Sequence, residues 1–366
     1  MFRDVYRGKK VMVTGHTGFK GSWLTIWLTK LGASVIGVSK DIPTKPSMFE
    51  ELKLENKIKH HFCDLRNLKE FSEIFHSEKP DFIFHMAAQP IVSVSYTDPL
   101  DTITSNVIGT AHVMEVLKET SHPCTAIIIT SDKAYDNVEQ VWGYKEDDKL
   151  GGKDVYSGSK GAAELIIKSY FYSFLQKKNN IGLAVGRAGN VIGGGDWAKD
   201  RIVVDCMVAW SQDRAVEIRS PKATRPWQHV LEPLSGYLNL GQMTYLEREK
   251  YHGEAFNFGP RAEQNHTVQE LLTDLSHLWN FSDVSKAFKV VADVPFHEAG
   301  LLKLNCDKAL FYLKWQANLA YQDTIQYTGK WYYDFYKNKS AIYDLTLDQI
   351  KAYEEAALKK GLVWTA

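Results

Sequence analysis

The amino-acid sequence predicts an α/β fold in which a doubly wound parallel sheet is followed by a smaller mixed lobe. Short apolar runs alternate with amphipathic stretches in the first half of the chain, the pattern of a parallel sheet with crossover helices. The central runs are apolar throughout, as strands covered on both faces must be. Beyond about residue 190, glycine and proline break the chain into shorter pieces. We therefore expect a Rossmann-type domain over residues 1–190 and a mainly substrate-binding lobe over residues 191–366, some of whose segments can return to the sheet.

The predicted elements follow one another in the order of a βαβ chain. Strands are expected at 11–14, 35–38, 82–85, 126–130 and 182–185, and helices at about 19–31, 106–120 and 156–174. In the second half, helices are expected near 231–247, 267–279 and 347–360.

Composition and charge limit the classes of partner. The chain has 366 residues, with 44 Lys and Arg against 44 Asp and Glu, so its formal net charge is zero. This balance argues against nucleic acid or an anionic membrane as a partner. The four cysteines have neither metal-ligand nor disulfide-framework spacing, and no His, Cys, Asp and Glu cluster predicts a metal. The polar N-terminus and the absence of any apolar run of about 18 residues predict a cytoplasmic protein.

A glycine loop opens the chain between the first predicted strand and the first helix. Gly15, Gly18 and Gly21 stand three residues apart, with Thr17 and Phe19 between them. Glycines in this context permit a tight turn and the close approach of a pyrophosphate to the amides of the helix N-terminus. The loop therefore predicts a dinucleotide site.

The end of the second strand bears on the choice between NAD and NADP. Ser39 stands where an aspartate that binds the ribose is expected, and Asp41 lies two residues later. Lys40 is compatible with a 2′-phosphate, so both cofactors stay open on this feature alone. We expect NAD.

Ser131, Tyr156 and Lys160 have a spacing typical of enzymes that oxidise a hydroxyl. Lys160 follows Tyr156 by one helical turn, so the amine and the phenol share a helix face. A phenol with an ordinary pKa of about 10 is a poor base at neutral pH, and a neighbouring ammonium favours the phenolate. Alone, Tyr-x-x-x-Lys is typical of a solvated helix face. Together with the glycine loop and a serine that ends an apolar strand, it predicts a nicotinamide-dependent enzyme.

Further candidates follow the predicted strands. Asp132 and Lys133 come directly after Ser131, at the sheet edge where such folds bind ligands. Asp64 predicts an adenine contact, and Ala87 and Ala88 allow a backbone to pass close to a cofactor. Arginine suits phosphate oxygens, and two or three members of one downstream set can clamp a diphosphate. That set is Arg187, Asn190, Arg201 and Arg225.

These motifs resemble those of the extended short-chain dehydrogenases/reductases and, within them, the CDP-glucose 4,6-dehydratase branch. The resemblance spans about residues 9–335, and its glycine loop and Tyr-x-x-x-Lys are common to the whole superfamily. The motifs GGGDWAKDR and RPWQHV are typical of a much narrower group, and they separate this branch from epimerases and from dTDP-glucose dehydratases. The stretches that carry it are TGHTGFKGSW from Thr14, FHMAAQP from Phe84, ITSDKAYDN from Ile129, VYSGSKGAAE from Val155, RAGNVIGGGDWAKDR from Arg187 and RPWQHVLEPLSGY from Arg225.

The resemblance implies conversion of CDP-glucose to CDP-4-keto-6-deoxyglucose and water, by internal hydride transfer through tightly held NAD, in deoxysugar biosynthesis. It implies Ser131, Asp132, Lys133, Tyr156 and Lys160 as catalytic residues. The implied cofactor contacts are Gly15, Thr17, Gly18, Phe19, Gly21, Asp64, Leu65, Ala87, Ala88, Gln89, Thr130, Tyr156 and Lys160. The implied substrate contacts are Gln89, Ser131, Asn190, Arg201 and Arg225, with no metal.

The resemblance also implies an acid and a base. Asp132 would protonate the departing 6-hydroxyl. Many sugar dehydratases follow this acid with a glutamate that removes the carbon 5 proton, and Lys133 stands there in this chain. A lysine with an ordinary pKa of about 10.4 acts as a base only where burial or another cation lowers that pKa. Val155 and Gly158 replace the proline and asparagine of the family pattern, beside the redox residues.

Two other functions stay open. A nucleotide-sugar 4-epimerase needs only the Ser, Tyr and Lys set, but it has no leaving hydroxyl for Asp132 to protonate. A non-catalytic NAD or sugar-nucleotide-binding module has no use for a phenolate. Cytidine rests on the resemblance alone. A homodimer is also implied, through the helices beginning near Asn106 and Tyr156, with seven apolar residues as its contacts: Ile108, Val113, Val116, Leu117, Leu165, Ile166 and Phe174.

Overall fold

A computed structural model describes residues 1–218, 220–261, 263–291, 301–339 and 341–366. The strands of its central sheet are β1 (Lys10–Thr14), β2 (Ser34–Ser39), β3 (Lys59–Phe62), β4 (Phe82–His85), β5 (Cys124–Ile129), β6 (Ile181–Ala188) and β11 (Glu254–Phe258). They lie in the order β11-β6-β5-β4-β1-β2-β3, and every pair is parallel. The predicted doubly wound α/β fold is confirmed.

Helices connect the strands and cover both faces of the sheet. They are α1 (Phe19–Lys30), α2 (Met48–Glu51), α3 (Leu68–Glu78), α4 (Val92–Thr97), α5 (Pro99–Ile103), α6 (Gly109–Glu119), α7 (Val155–Tyr170), α8 (Ile202–Ser211), α9 (Leu231–Leu246), α10 (Arg248–Tyr251), α11 (Val268–Leu278), α12 (Tyr321–Tyr333) and α13 (Ile342–Lys359). Single π-helical turns precede α6 (Thr104–Ile108), follow α7 (Phe171–Leu175) and follow α12 (Asp334–Asn338).

Alternate residues of β1 face two separate hydrophobic cores. Val11 and Val13 belong to a core shared with the tryptophans of α1, whereas Met12 belongs to a core shared with Met114 of α6. This alternation is what a strand covered by helices on both faces requires. The sheet therefore holds its strands rigidly and leaves their carboxyl ends as the edge available to a ligand.

The strand β3 and the helix α3 are among the elements of the first half that the sequence analysis did not predict. β3 has the sequence Lys-His-His-Phe and is the last strand on its side of the sheet, with its first and last residues exposed. An edge strand can be this polar, so it gives no apolar run to detect. The amphipathic helix α3 follows it. At the other end of the chain, α13 begins at Ile342, five residues before the predicted 347.

The second half of the chain is not a separate layer. β11 pairs with β6 to complete the sheet, and Gly236 of α9 lies so close to Phe258 that a Cβ there would be 2.2 Å from its ring. The division of the chain at residue 190 stays a prediction. Among the described residues, three short strand pairs lie outside the central sheet: β7 (Val191–Ile192) with β10 (Gln228–His229), β9 (Thr224–Arg225) with β12 (His266–Thr267), and β8 (Val216–Ile218) with β13 (Phe288–Val290).

Aromatic side chains of α12 close the lobe over the loop 193–197. A Cβ on Gly194 would lie 2.0 Å from the Trp331 ring, so this position requires glycine. Tyr332 Oη donates to the carbonyl of Asp196 at 2.6 Å and accepts from its backbone N at 3.1 Å. Within the described ranges, every helix is too short or too polar to cross a lipid bilayer.

Candidate active site

The glycine loop packs against the chain that leaves β4. Gly15 has φ +76°, where residues with a Cβ are strained. A Cβ on Gly15 would lie 2.8 Å from the backbone N of Ala87, and one on Gly21 would lie 2.1 Å from the carbonyl O of Gly15. Gly18 caps α1 without a side-chain hydrogen bond. The loop therefore forms a cradle of bare backbone at a helix N-terminus, which fits the pyrophosphate of a dinucleotide.

Buried side chains close the end of β2. Ser39 Oγ lies 2.9 Å from His16 Nδ1 and accepts from the backbone N of Thr17 at 3.4 Å. Thr17 Oγ1 donates to the carbonyl of Asp41 at 2.7 Å. Burial lowers the pKa of His16 to about 4, so its ring is neutral at pH 7. Ser39 thus holds the glycine loop, while Lys40 and the side chain of Asp41 are exposed.

Asp64 and Leu65 lie just beyond β3, beside the end of β2. Arg66 holds Asp64 through Nε to Oδ1 at 3.0 Å and Nη2 to Oδ2 at 2.6 Å, and its Nη1 also reaches Asp101 at 2.7 Å. Hydrogen bonds from Arg66 lower the pKa of Asp64, so this carboxylate is ionised at neutral pH. Leu65 is buried, and its carbonyl accepts from His112 at 2.7 Å.

Gln89 is tied into its own loop. Its Nε2 donates to Thr102 Oγ1 at 2.8 Å and to the carbonyl of Ile91 at 3.0 Å, and its Oε1 accepts from the backbone N of Ile91 at 2.5 Å. Its backbone N donates to Asn106 Oδ1 at 2.8 Å. The structure therefore uses the amide of Gln89 to fix the loop that carries Ala87 and Ala88. Its predicted contacts with cofactor and substrate stay predictions.

Ser131, Asp132 and Lys133 form one short turn at the end of β5. Ser131 Oγ donates to Asp132 Oδ1 at 2.9 Å and accepts from the backbone N of Lys133 at 3.2 Å. Asp132 is 4% exposed, and a Cβ on Gly189 would lie 2.9 Å from its Oδ2. Burial raises the pKa of Asp132, against the opposing charge of Lys133 and the hydrogen bond from Ser131. A raised pKa favours the protonated acid that can donate a proton. Lys133 is half-buried.

Tyr156 and Lys160 lie one turn apart in the first two turns of α7, as the spacing predicts. Asp154 caps this helix by accepting from the backbone N of Ser157 at 2.9 Å. Lys160 Nζ lies 5.8 Å from the centroid of the Tyr156 ring. Burial raises the pKa of Tyr156 to about 12, with the charge of Asp132 adding to it and that of Arg201 and the Ser131 hydrogen bond opposing it. Burial also lowers the pKa of Lys160 to about 8, against the charge of Glu164.

A buried ion pair beneath α7 fixes the helix to the sheet. Arg187 on β6 binds Glu164 on α7 through Nε to Oε1 at 2.7 Å and Nη2 to Oε2 at 2.9 Å, with both side chains about 4% exposed. Thr130 Oγ1 donates to the same carboxylate at 2.5 Å, and Arg187 Nη1 donates to Tyr135 Oη at 2.7 Å. Arg187 was expected to be able to join a diphosphate clamp. Arg187 is instead buried beneath α7, where it forms a bidentate ion pair with the carboxylate of Glu164.

The other members of the clamp set lie in different places. Arg201 donates from Nη1 to Asp196 Oδ2 at 2.6 Å, and its charge acts on Tyr156, so it lies beside the redox pair. Asn190 is half-buried directly after β6. Arg225, in β9, donates to the carbonyl of Thr224 at 2.8 Å, and its neighbour Pro226 lines a small cavity that also contains Asp132.

Lys20 is a site residue that the sequence analysis missed. It lies in the first turn of α1, and its Nζ donates to Tyr237 Oη of α9 at 3.4 Å. Burial lowers the pKa of Lys20 to about 8, with the charges of Arg201 and Lys160 adding to this shift and that of Asp132 opposing it. Lys20 therefore shares one electrostatic field with the predicted catalytic residues. The signal that could have identified Lys20 is its place between Gly18 and Gly21, at the start of the helix that follows the glycine loop.

A family model described as GDP-mannose 4,6 dehydratase matches residues 12–328. The chain is 45% identical over 334 residues to the CDP-glucose 4,6-dehydratase of Salmonella typhimurium, covering 90% of this chain and 92% of that protein. It is 23% identical over 352 residues to the CDP-paratose 2-epimerase of Salmonella typhi, covering 88% of this chain and 98% of that protein.

Solved structures share the fold at lower identity. UDP-glucuronic acid 4-epimerase from Bacillus cereus, in complex with UDP-glucuronic acid and NAD, superposes with a TM-score of 0.75 at 20% identity, covering 89% of this chain and 99% of that one. dTDP-glucose 4,6-dehydratase from Bacillus anthracis, in complex with NAD, gives a TM-score of 0.72 at 18% identity, covering 90% of this chain and 97% of that one.

Proposed function

Because the chain belongs to the GDP-mannose 4,6 dehydratase family, we propose that it is a CDP-glucose 4,6-dehydratase, which converts CDP-glucose to CDP-4-keto-6-deoxyglucose and water for deoxysugar biosynthesis. One observation carries this proposal beyond the family. A buried acid, Asp132, is hydrogen bonded to the serine of the redox set. Oxidation at carbon 4 alone has no use for an acid at this position, whereas loss of a hydroxyl from carbon 6 needs one.

NAD is the cofactor that the cradle fits. The bare backbone at Gly15, Gly18 and Gly21 would hold its pyrophosphate, and Ala87 and Ala88 would line its path. Asp64 and Leu65 would lie at its adenine end, with Thr17 and Phe19 beside the phosphates and Thr130 on the nicotinamide side. When bound, NAD supplies a hydride acceptor that can also return the hydride. The solved structures of similar fold that hold NAD support this assignment.

Tyr156, Lys160 and Ser131 would remove the proton from the 4-hydroxyl. The pKa of Tyr156, about 12 after burial, keeps the phenol protonated at neutral pH until a charge stabilises the phenolate. Lys160 on the same helix face and Arg201 are the cations placed to do so. Ser131 would hold the sugar oxygen in line with Tyr156, since its hydroxyl acts on the phenol and lowers the pKa of Tyr156.

Asp132 and Lys133 would carry the elimination. The ketone at carbon 4 acidifies carbon 5, and Lys133 would take the carbon 5 proton. The bond from carbon 6 to its oxygen then breaks while Asp132 gives its proton to that oxygen, so that water leaves and an enone remains. The enone would take the hydride back at carbon 6 and a proton at carbon 5, which gives the 4-keto-6-deoxy product. The protonated form that burial favours for Asp132 is the form this step needs.

The rest of the substrate would lie toward the lobe. Arg201 and Arg225 would bind the diphosphate, with Asn190 between β6 and β7. The charge of Arg201 acts on Tyr156, and Pro226, next to Arg225, lines the same cavity as Asp132. Gln89 would act through the loop that it fixes.

Mass spectrometry on a panel of nucleotide hexoses tests this proposal. We expect loss of one water from CDP-glucose and no such loss from the other nucleotide sugars. Product made in deuterated water should carry deuterium at carbon 5, and the hydride at carbon 6 should come from carbon 4 of the same molecule. An epimerase would give neither the mass loss nor the carbon 5 label, so that result would replace the proposal by its main alternative.

We also propose a homodimer formed through α6 and α7. Of the seven apolar residues expected there, Val113, Val116 and Leu117 are buried against the protein's own sheet. Ile108, Leu165 and Phe174 are 42%, 55% and 51% exposed, and these large side chains remain for a second copy. Light scattering at micromolar concentration should give twice the chain mass, and Leu165→Glu should give a monomer. A monomeric wild-type protein would contradict the proposal.

A cytoplasmic location agrees with the cysteine chemistry. Cys63, Cys124, Cys206 and Cys306 are free thiols in the structure. Free thiols are typical of reducing compartments.

A further inference from the structure

A small cavity lies on the side of Asp132 that faces away from Ser131. The two oxygens of this carboxyl have different surroundings: Oδ1 accepts the hydrogen bond from Ser131, and Oδ2 faces Gly189. Gly189 and Asp132 both line the cavity. A side chain at position 189 would occupy this space, since its Cβ would come within 2.9 Å of Oδ2.

Gln228 of β10 lines the same cavity and has an unpartnered acceptor. The residue is 1% exposed, and its Nε2 donates to the carbonyl of Phe258 at 3.3 Å. Since only the nitrogen of the amide can donate to a carbonyl, this bond fixes which atom is Oε1. Among the residues that the structure describes, nothing hydrogen bonds to Gln228 Oε1. A buried polar atom left this way costs free energy unless a ligand or a water binds it.

The size of the cavity matches one water molecule. The volume open to the centre of a water is about 10 Å³, and one water needs roughly 10–15 Å³ on this measure. A buried water also needs two to four polar partners. Asp132 Oδ2, Gln228 Oε1 and the backbone around Gly259 can supply them, and half-buried Lys303 lines the wall toward solvent.

We propose that this cavity binds one water molecule between Asp132 and Gln228, through which Asp132 recovers the proton that it gives to the leaving hydroxyl. The inference rests on the proposed dehydration. In each turnover the proton of Asp132 goes to the carbon 6 oxygen as the bond from carbon 6 to oxygen breaks, leaving a carboxylate beneath the bound sugar. The water donates a proton to Oδ2 and takes one from solvent, which restores the acid. Gln228 is then a positioning residue for this water.

Gln228→Met tests the role of the amide, because methionine keeps the length of the side chain and deletes its polar atoms. Gln242→Met on α9 is the matched control, since Gln242 is also fully buried with an unpartnered Oε1, in another part of the described chain. We expect Gln228→Met to lower kcat for CDP-glucose about tenfold, with KM within twofold of the wild-type value. In rapid mixing with excess CDP-glucose, the first rise and decay of NADH absorbance should keep their rates, because Asp132 starts protonated. The steady-state turnover that follows should slow by the same tenfold.

Small acids provide a readout that a purely structural role would not move. Added formate should speed the steady-state turnover of Gln228→Met and leave the wild-type rate unchanged, because an external acid replaces the missing donor. A raised KM with an unchanged steady-state rate would make Gln228 a nucleotide contact and overturn the proposal. An unchanged kcat would overturn it as well.

A high-resolution crystal structure of the wild-type protein tests the site without any substrate. We expect one ordered water within hydrogen-bond distance of both Asp132 Oδ2 and Gln228 Oε1. Its absence would overturn the proposal even if Gln228→Met failed to fold. If the wild-type protein dehydrates no nucleotide sugar and the water is present, the proposed function fails and the binding site stands.

Discussion

The two halves of the active site are built in different ways. The redox half, Tyr156 and Lys160, is set by one turn of α7, and both side chains are 7% exposed. The acid–base half consists of two consecutive residues, of which Asp132 is 4% exposed and Lys133 is half-buried. Residues four apart on a helix, such as Tyr156 and Lys160, face the same way and are buried together. Consecutive residues in a turn, such as Asp132 and Lys133, face different ways, and here one is buried and the other partly exposed. Tyr156 therefore lies in an environment that shifts its pKa strongly, whereas Lys133 is open to solvent on one side, and three variants test this contrast.

Tyr156→Phe should have the largest effect. It removes one oxygen and no packing volume, so we expect the substrate and NAD to bind with near-normal affinity and kcat to fall about 10⁴-fold. Steady-state kinetics and equilibrium binding measure the two quantities. Tyr170→Phe, the same change at the far end of α7 where Tyr170 Oη donates to Glu115 at 3.0 Å, is the control. Near-normal turnover by Tyr156→Phe would rule out the phenolate mechanism.

Lys133→Met should have a smaller effect, confined to the second half of the reaction. Because methionine keeps the apolar stem, we expect normal transient NADH formation on adding CDP-glucose and about a 100-fold loss of dehydrated product. Stopped-flow absorbance and product analysis by mass spectrometry measure these steps separately. Lys153→Met, at an exposed position just before α7, is the matched control. Unimpaired dehydration would move the base to another residue and leave Lys133 an electrostatic role.

Lys160→Met should stabilise the protein while it inactivates it. The pKa of Lys160 is about 8 in the folded protein and 10.5 ordinarily. Between these two pKa values the unfolded chain binds a proton that the folded chain lacks, so the free energy of unfolding rises with pH from about 8 to about 10.5. Below pH 8 the lysine is charged in both states, and the whole destabilisation caused by burying its charge is present. At pH 7 we expect the variant to gain on the order of 2 kcal/mol.

Urea unfolding of the cofactor-free protein measures this gain, at pH 7 and above pH 8. Lys168→Met, at an exposed position on the same helix, should change stability little at either pH. A variant less stable than the wild-type protein at pH 7 would show that Lys160 supports the fold instead of straining it.

The sequence predicted those features that depend on local periodicity. β4 lies at the predicted residues 82–85, and α1, α7 and α9 lie within a few residues of their predicted bounds. Each has an uninterrupted apolar or helical pattern. β3 was missed because an exposed edge strand has no such pattern.

Features that depend on distant contacts could not be predicted this way. Arg187 looked like its neighbours Arg201 and Arg225, yet it is buried against Glu164, 23 residues away in sequence. Lys20 enters the site only because α9 places Tyr237 against it, 217 residues along the chain. Gln228 lies in the RPWQHV motif that begins at Arg225, but only the fold brings it to a cavity beside Asp132.

The return of β11 to the sheet has a consequence for protein engineering. A hybrid that joins residues 1–190 of this chain to the remainder of a relative would take β11 and α9 from that relative. The donated strand would then have to match β6, and its residue at position 257 would have to accept the hydrogen bond that Tyr135 Oη gives to Asn257 Oδ1 at 2.8 Å in this chain. A hybrid designed to change the nucleotide preference should therefore keep residues 231–258, which contain α9 and β11, from the same protein as residues 1–190. Only the segments before and after 231–258 should come from the relative.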